Sequence, residues 1–180
     1  MYLNIVTPCS RPQNLTAISE SIKQSIPEGK YRWIVVFDAD EVPDEIPDNC
    51  EAYAIRNPQS TVGHAQRNHA LDLIENGHIY FNDDDTLIHP ELWEWVSGHK
   101  VDFISFSQCH KDGSFRLKGD NVSVCNIDSH NFIVSADIAK DVRFVIDKYE
   151  ADGIFAEQCY SKSSTKVFID KVLSIYNQLR

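Results

Sequence analysis

Between Tyr2 and Ser107, short runs of β-branched and aromatic residues alternate with stretches whose apolar residues recur at helical spacing. YLNIVT (2–7) reads as a buried strand. NLTAISESIKQSI follows, with Leu15, Ile18, Ile22 and Ile26 on one helical stripe and Asn14 as its N-cap. YRWIVVFDAD is a second buried strand and EAYAI a third, ahead of the loop RNPQSTVG. HAQRNHALDLIENG is a helix that turns Ala65, Ala70, Leu71 and Ile74 inward and stops at Gly77. The strand HIYFN, the helix HPELWEWVSG with Pro90 in its first turn, and the strand VDFISFS complete the alternation. Such a pattern predicts an α/β fold with a mostly parallel sheet covered on both faces, whose ligands bind at the C-terminal ends of the strands. Thr7, Asp38 and Asp83 all fall at such ends.

After residue 108 the pattern loosens. SFRLKGDNVSVCNID reads as a hairpin around Lys118-Gly119-Asp120, VSADIAKDVRF as a short helix and YEADGIFAEQCY as a longer one. KVFIDKVLSIYNQ fits both periods and is read as a strand. A chain of 180 residues without a repeat or linker suits one compact domain.

The formal net charge of −10, with no cluster of Lys and Arg, argues against a nucleic-acid partner. A small anionic ligand stays compatible, since a local cation overrides net charge. Five cysteines without CxxC spacing fit neither a disulfide framework nor a structural zinc site, and point to a reducing, cytoplasmic setting. No stretch approaches the roughly 18 apolar residues of a membrane span.

The densest chemistry is in YFNDDDTLIHPELW, where Asp83, Asp84 and Asp85 stand side by side after a buried strand. Three adjacent carboxylates repel one another unless a cation, solvent or hydrogen-bond donors offset the repulsion. A calcium loop fails on composition, because Leu87 and Ile88 stand at the fifth and sixth positions where an oxygen ligand and Gly are required. A carboxylate pair at a strand end suits a hard divalent cation that keeps some waters and also binds a diphosphate.

This stretch resembles the DXD motif of glycosyltransferases of the GT-A fold, a Rossmann-like nucleotide-sugar-binding fold. NIVTPCSRPQNL is similar to that fold's first strand and nucleotide loop through Thr7, Pro8, Arg11 and Leu15. VGHAQRNHAL resembles a stretch of the animal glucuronosyltransferases through Gly63, Gln66, Arg67, Asn68, Ala70 and Leu71. YEADGIFAEQ is similar to the segment carrying the catalytic base in family-two-like enzymes, with Gly153 where a large aromatic often stands.

The resemblance implies a nucleotide-sugar-binding half (1–108) and an acceptor and catalytic-base half (109–180). Thr7, Pro8, Arg11, Asp38, Arg67, Asp83 and Asp84 would then contact the nucleotide. Asp85 would bind Mn²⁺ or Mg²⁺ with His130 as second ligand, and Asp128 would contact the acceptor. The base would be Asp152, followed by Glu157 and then Glu150. The implied activity is metal-dependent, inverting transfer of a sugar from a nucleoside-diphosphate sugar to a hydroxyl acceptor such as a glycan. The chain is short for a separate acceptor domain, so a homo-oligomer, a partner chain or a mobile loop at 109–121 would complete that side.

Two alternatives stand beside this reading. One is a nucleotide-sugar or carbohydrate-binding module without turnover. The other is a sugar-phosphate nucleotidyltransferase, which would want a Gly-rich phosphate loop after the first strand where TPCSRPQNL has no Gly. Cys9 could be imagined as a nucleophile, but no His-plus-acid arrangement around it is legible and a packed residue is the simpler reading.

Overall fold

A computed structural model describes residues 1–56 and 62–180; the expected loop 56–63 falls largely on residues outside that set. Among the described residues the apolar runs form eight strands of one sheet: β1 (Leu3–Cys9), β2 (Tyr31–Phe37), β3 (Glu51–Ala54), β4 (His78–Phe81), β5 (Phe103–His110), β6 (Phe115–Leu117), β7 (Phe132–Ser135) and β8 (Lys166–Tyr176). Their order is β3-β2-β1-β4-β7-β5-β6, with β8 paired to β5. β1 pairs parallel with β2 and β4, β2 with β3, and β5 with β8. β7 runs antiparallel to both β4 and β5, and β6 antiparallel to β5. The second half of the chain thus re-enters the sheet between strands of the first, and both halves share one core.

Alternation along each strand divides that core between two faces. Leu3, Ile5, Trp33, Val35, Tyr80, Ile104 and Phe106 pack beneath α1 (Leu15–Ser25) and α3 (Leu92–Val96). Val6, Ile34, Val36, Phe81, Phe103, Phe132 and Val134 pack beneath α2 (His64–Asp72), α4 (Ala136–Ala139) and α5 (Ala151–Lys162). Each fully buried side chain of this size contributes about 1.5–3 kcal/mol. α5 is fastened through Phe155, which stacks on Phe144 at 4.2 Å and 8° while Phe81 meets both rings edge-on. That aromatic cluster fixes the helix whose first turn carries Asp152.

Several local expectations are revised. Asn14 caps nothing; its side-chain amide donates instead to the Asp84 carbonyl at 2.9 Å. The hairpin between β5 and β6 turns at Asp112-Gly113, where Asp112 accepts from the Ser114 N–H (2.9 Å) and hydroxyl (2.6 Å) and Gly113 adopts φ +83°. Gly119 serves close packing rather than the turn, because a Cβ there would lie 2.5 Å from the Phe106 carbonyl oxygen. β7 was unforeseen, being only four residues long and interrupting a segment rich in polar side chains. The final segment is a strand, β8, as its pattern suggested.

Gly119→Ala is therefore expected to lower stability by about 1–3 kcal/mol through overpacking against backbone. Gly98→Ala, with no atom within 4 Å of the new methyl group, should stay within about 0.5 kcal/mol of the parent. Urea denaturation of the two variants side by side checks the pair.

Candidate functional site

Parallel pairing of β1 with β4 sets Val6 opposite Phe81, and the Asn82 N–H donates to the Val6 carbonyl at 2.9 Å. The loop after β1 and the three aspartates after β4 therefore emerge side by side. The aspartates then diverge, although Asp84 and Asp85 share Arg11.

Asp84 is buried and turns toward the β1 loop. One oxygen accepts from the backbone N–H groups of Ser10 (2.6 Å) and Arg11 (2.7 Å) and from the Ser10 hydroxyl (3.0 Å), while the other takes the Arg11 guanidinium. Asp85 is equally buried, and two guanidiniums converge on its Oδ2: Arg180 Nε at 2.6 Å and Arg11 Nη1 at 3.2 Å. Its backbone carbonyl also accepts from the Leu179 N–H at 2.8 Å, which ties the segment after β8 to this site.

Asp83 faces the opposite way. Arg67 Nη2 lies 2.5 Å from one oxygen and His130 Nε2 3.0 Å from the other. Burial opposes its ionisation, but the charges of Arg67 and His130 outweigh burial and hold its carboxyl well below the usual range. Burial likewise opposes charge on His130, yet Asp83 and Asp128 raise its pKa to about 9. Its Nε2 is held between the Asp83 carboxylate, at 3.0 Å, and the Asp83 backbone N–H, at 3.2 Å. Asp128 caps the turn before β7 by accepting from the His130 N–H at 3.2 Å, and pairs with Arg116 at 2.8 Å.

Two clefts flank this triad. The first is bordered by Pro8, Ser10, Arg11, Asp38, Gly63 and Gln66, and the second by His64, Arg116, Asp128, Tyr149, Glu150 and Asp152. They share Arg67, Asp83 and Arg180, so they meet at the end of β4. Gly63 at φ +77° lets α2 start against the β1 loop, since a Cβ there would sit 2.7 Å from Pro8 Cβ.

The structure thus gathers Pro8, Arg11, Asp38, Arg67, Asp83, Asp84 and Asp85 at the first cleft and Asp128, His130 and Asp152 at the second. Two candidates lie elsewhere. Thr7 points into the core, where its hydroxyl accepts from the Trp33 indole N–H at 2.9 Å. Glu157 sits on the outer face of α5, accepting from the Val124 N–H at 2.8 Å. Asp84 holds the β1 loop through its bonds to Ser10 and Arg11. Asp152 has a raised pKa, first because of burial and then because of the nearby Asp128 and Asp83 charges, with Arg67 opposing. Cys9 is inert, burial and the Asp84 charge pushing its thiol up to about 12.

For a divalent ion, the two expected ligands differ. Asp85 already collects cations, and the Arg180 guanidinium stands in for one on its Oδ2, so its chemistry fits. His130 does not fit, its Nε2 being committed to the Asp83 carboxylate and backbone N–H. Among the described residues no group of three or more His, Cys, Asp or Glu is arranged to hold a metal. An ion at Asp85 would have to complete its shell with ligand oxygens and water.

Sequence reasoning missed His64, Ser10, Arg116 and Arg180. Ser10 and His64 adjoin recognised motifs, whereas Arg116 and Arg180 reach the site only through tertiary contacts.

The fold is the mixed α/β architecture of GT-A glycosyltransferases, with a single compact domain. Similar solved structures include S. aureus TarS residues 1–349, with a TM-score of 0.78 and 16% identity over 97% of this chain and 60% of that one. The same TarS fragment in complex with UDP-GlcNAc gives 0.75 and 17% over 97% of this chain and 58% of that one. The mannosyltransferase PcManGT from Pyrobaculum calidifontis, in complex with GDP-Man and Mn²⁺, gives 0.68 and 11% over 97% and 56%. The chain thus spans well under two thirds of the length of these proteins. No family model and no curated protein matches it. Among the described residues, no helix is long and apolar enough to cross a membrane.

The Asp83–His130 pair predicts a pH dependence. Because the folded pKa of His130 lies above its ordinary 6.5, its stabilisation is complete below about 6.5 and is lost as pH rises through about 9. The urea midpoint should therefore fall between pH 7 and 10 in the parent, and His130→Gln should flatten that fall.

Proposed function

We propose that the protein transfers a sugar from a nucleoside-diphosphate sugar to a hydroxyl acceptor with inversion, and that its two halves, 1–108 and 109–180, supply the donor and acceptor sides. The observation that carries this reading is the meeting of two clefts at Arg67, Asp83 and Arg180. One cleft carries the guanidinium groups suited to a diphosphate, and the other a half-buried carboxylate with a raised pKa. The solved complexes of similar folds with UDP-GlcNAc and with GDP-Man support the donor class.

On this reading Pro8 and Asp38 border the base, while Arg11 and Arg180 meet the diphosphate oxygens. Asp83 holds Arg67 where the two subsites join. Asp85 would hold Mn²⁺ or Mg²⁺, which when bound supplies Lewis-acid stabilisation of the leaving diphosphate. Asp152 takes the acceptor hydroxyl proton as the acceptor oxygen bonds to the anomeric carbon. The bond from that carbon to the diphosphate breaks, and its electron pair leaves with the phosphate. Asp128 orients the acceptor through Arg116. Inversion follows from placing the base across the junction from the leaving group.

Calorimetric titration with UDP and GDP, with and without Mn²⁺, followed by hydrolysis of UDP-GlcNAc and GDP-Man, tests this. Asp85→Ala should abolish any gain in affinity from Mn²⁺. Asp152→Asn should lower turnover by about 10²–10⁴-fold with nucleotide affinity unchanged. Binding of neither nucleotide sinks the reading, and tight binding without turnover would mark a binding module instead.

A further inference from the structure

His64 opens α2 and is buried, its ring lying parallel to Phe144 at 5.9 Å and 15°. Its Nε2 stands 3.8 Å from Asp152 Oδ1. Among the described residues, neither Asp152 Oδ1 nor His64 Nδ1 has a hydrogen-bond partner. A buried carboxylate oxygen without a donor costs free energy, and such atoms are rare in native folds. Here the orphaned oxygen faces a ring nitrogen across a gap that a shift of under 1 Å would close into a hydrogen bond.

We infer that His64 is a positioning residue for Asp152, its Nε2–H donating to Oδ1 so that the carboxylate stays ionised and the other oxygen is left to receive the acceptor proton. This role rests on the sugar-transfer reading above. Burial and the charge of Arg67 lower the imidazole's pKa to about 4, against a backbone hydrogen bond with Ile146 and the charge of Asp83. Neutrality matters chemically. A cation at this position would hold Asp152 as a weak base, whereas an uncharged donor orients it and lowers its basicity less.

The electrostatic surroundings of Asp152 make such a donor useful. Asp83 from the end of β4 and Asp128 from the turn before β7 disfavour its ionisation, and Arg67 and His130 favour it. Glu150 lies one residue before α5, and Arg116 and Arg180 border the same cleft. Among these groups His64 combines an uncharged state with a ring nitrogen that faces Oδ1 directly. The sequence offers it no recognisable motif, since His64 occupies an unspecified position between Gly63 and Gln66.

The test replaces the ring nitrogens and keeps the packing. In His64→Phe the ring still stacks on Phe144, and in His64→Gln an amide N–H can reach Oδ1. The Asp152 carboxyl is followed by ¹³C NMR titration, assigned by comparison with Asp152→Asn. Its midpoint should rise by about one pH unit in His64→Phe, as loss of a hydrogen bond to a charged group requires, and return toward the parent in His64→Gln. Where UDP-GlcNAc or GDP-Man is hydrolysed, the acidic limb of the kcat profile should shift upward by the same amount, with KM for the donor unchanged. An unchanged or lowered Asp152 midpoint in His64→Phe overturns the pairing, whatever the enzyme's turnover. Absence of UDP and GDP binding by the parent overturns the sugar-transfer reading and with it the assigned role, while the NMR result still decides the contact.

Discussion

Asp84 holds the site together by giving up its own availability. Its carboxylate draws in two successive backbone N–H groups and a guanidinium from the loop after β1. In a buried setting such charge-assisted bonds are about twice as strong as neutral ones. Once that loop is pinned to the end of β4, Pro8 and Arg11 have fixed positions. Gly63 then permits α2 to close against Pro8, and Arg67 is carried to Asp83. The wall of the first cleft is thus a consequence of one carboxylate acting inward.

Three consecutive carboxylates are tolerable because they do not share partners evenly. Asp83 answers to Arg67 and His130, Asp84 to Arg11 and backbone, and Asp85 to Arg11 and Arg180. Buried charges of this kind are a weak source of stability, since desolvation consumes most of the Coulombic gain. Their value lies in geometry: opposed charges locked in place form a field that is already oriented when a charged ligand arrives. Asp152 ionises reluctantly first because of burial, and the charges of Asp128 and Asp83 add to it against Arg67 and His130.

The strands, the longer helices and the site loops were legible in the sequence because they rest on local periodicity and on turn residues at strand ends. The mixed character of the sheet was not, because β7 is four residues long and pairs on both sides with strands distant in sequence. The gathering of residues at the first cleft was legible where a motif coincided with a strand end, as at Arg11, Asp38 and Asp85. It was misread where a side chain's fate depends on the partner it meets. Thr7 belongs to Trp33, Glu157 to the Val124 backbone and His130 to Asp83, and no spacing in the chain announces these pairs.

α2 shows the same limit from the other side. Its expected inner face was apolar, yet His64, Gln66 and Arg67 are buried while Ala65 is only half-buried. A polar face turned inward violates the amphipathic rule that defines a surface helix, and such a violation is tolerated when the buried groups find charged partners or a ligand. Arg67 finds Asp83, and Gln66 borders the first cleft with its Oε1 among the unpartnered buried atoms. His64 faces Asp152. The helix that turns polar side chains inward is therefore the one that borders both clefts, and its failure as a surface helix is the physical mark of that position.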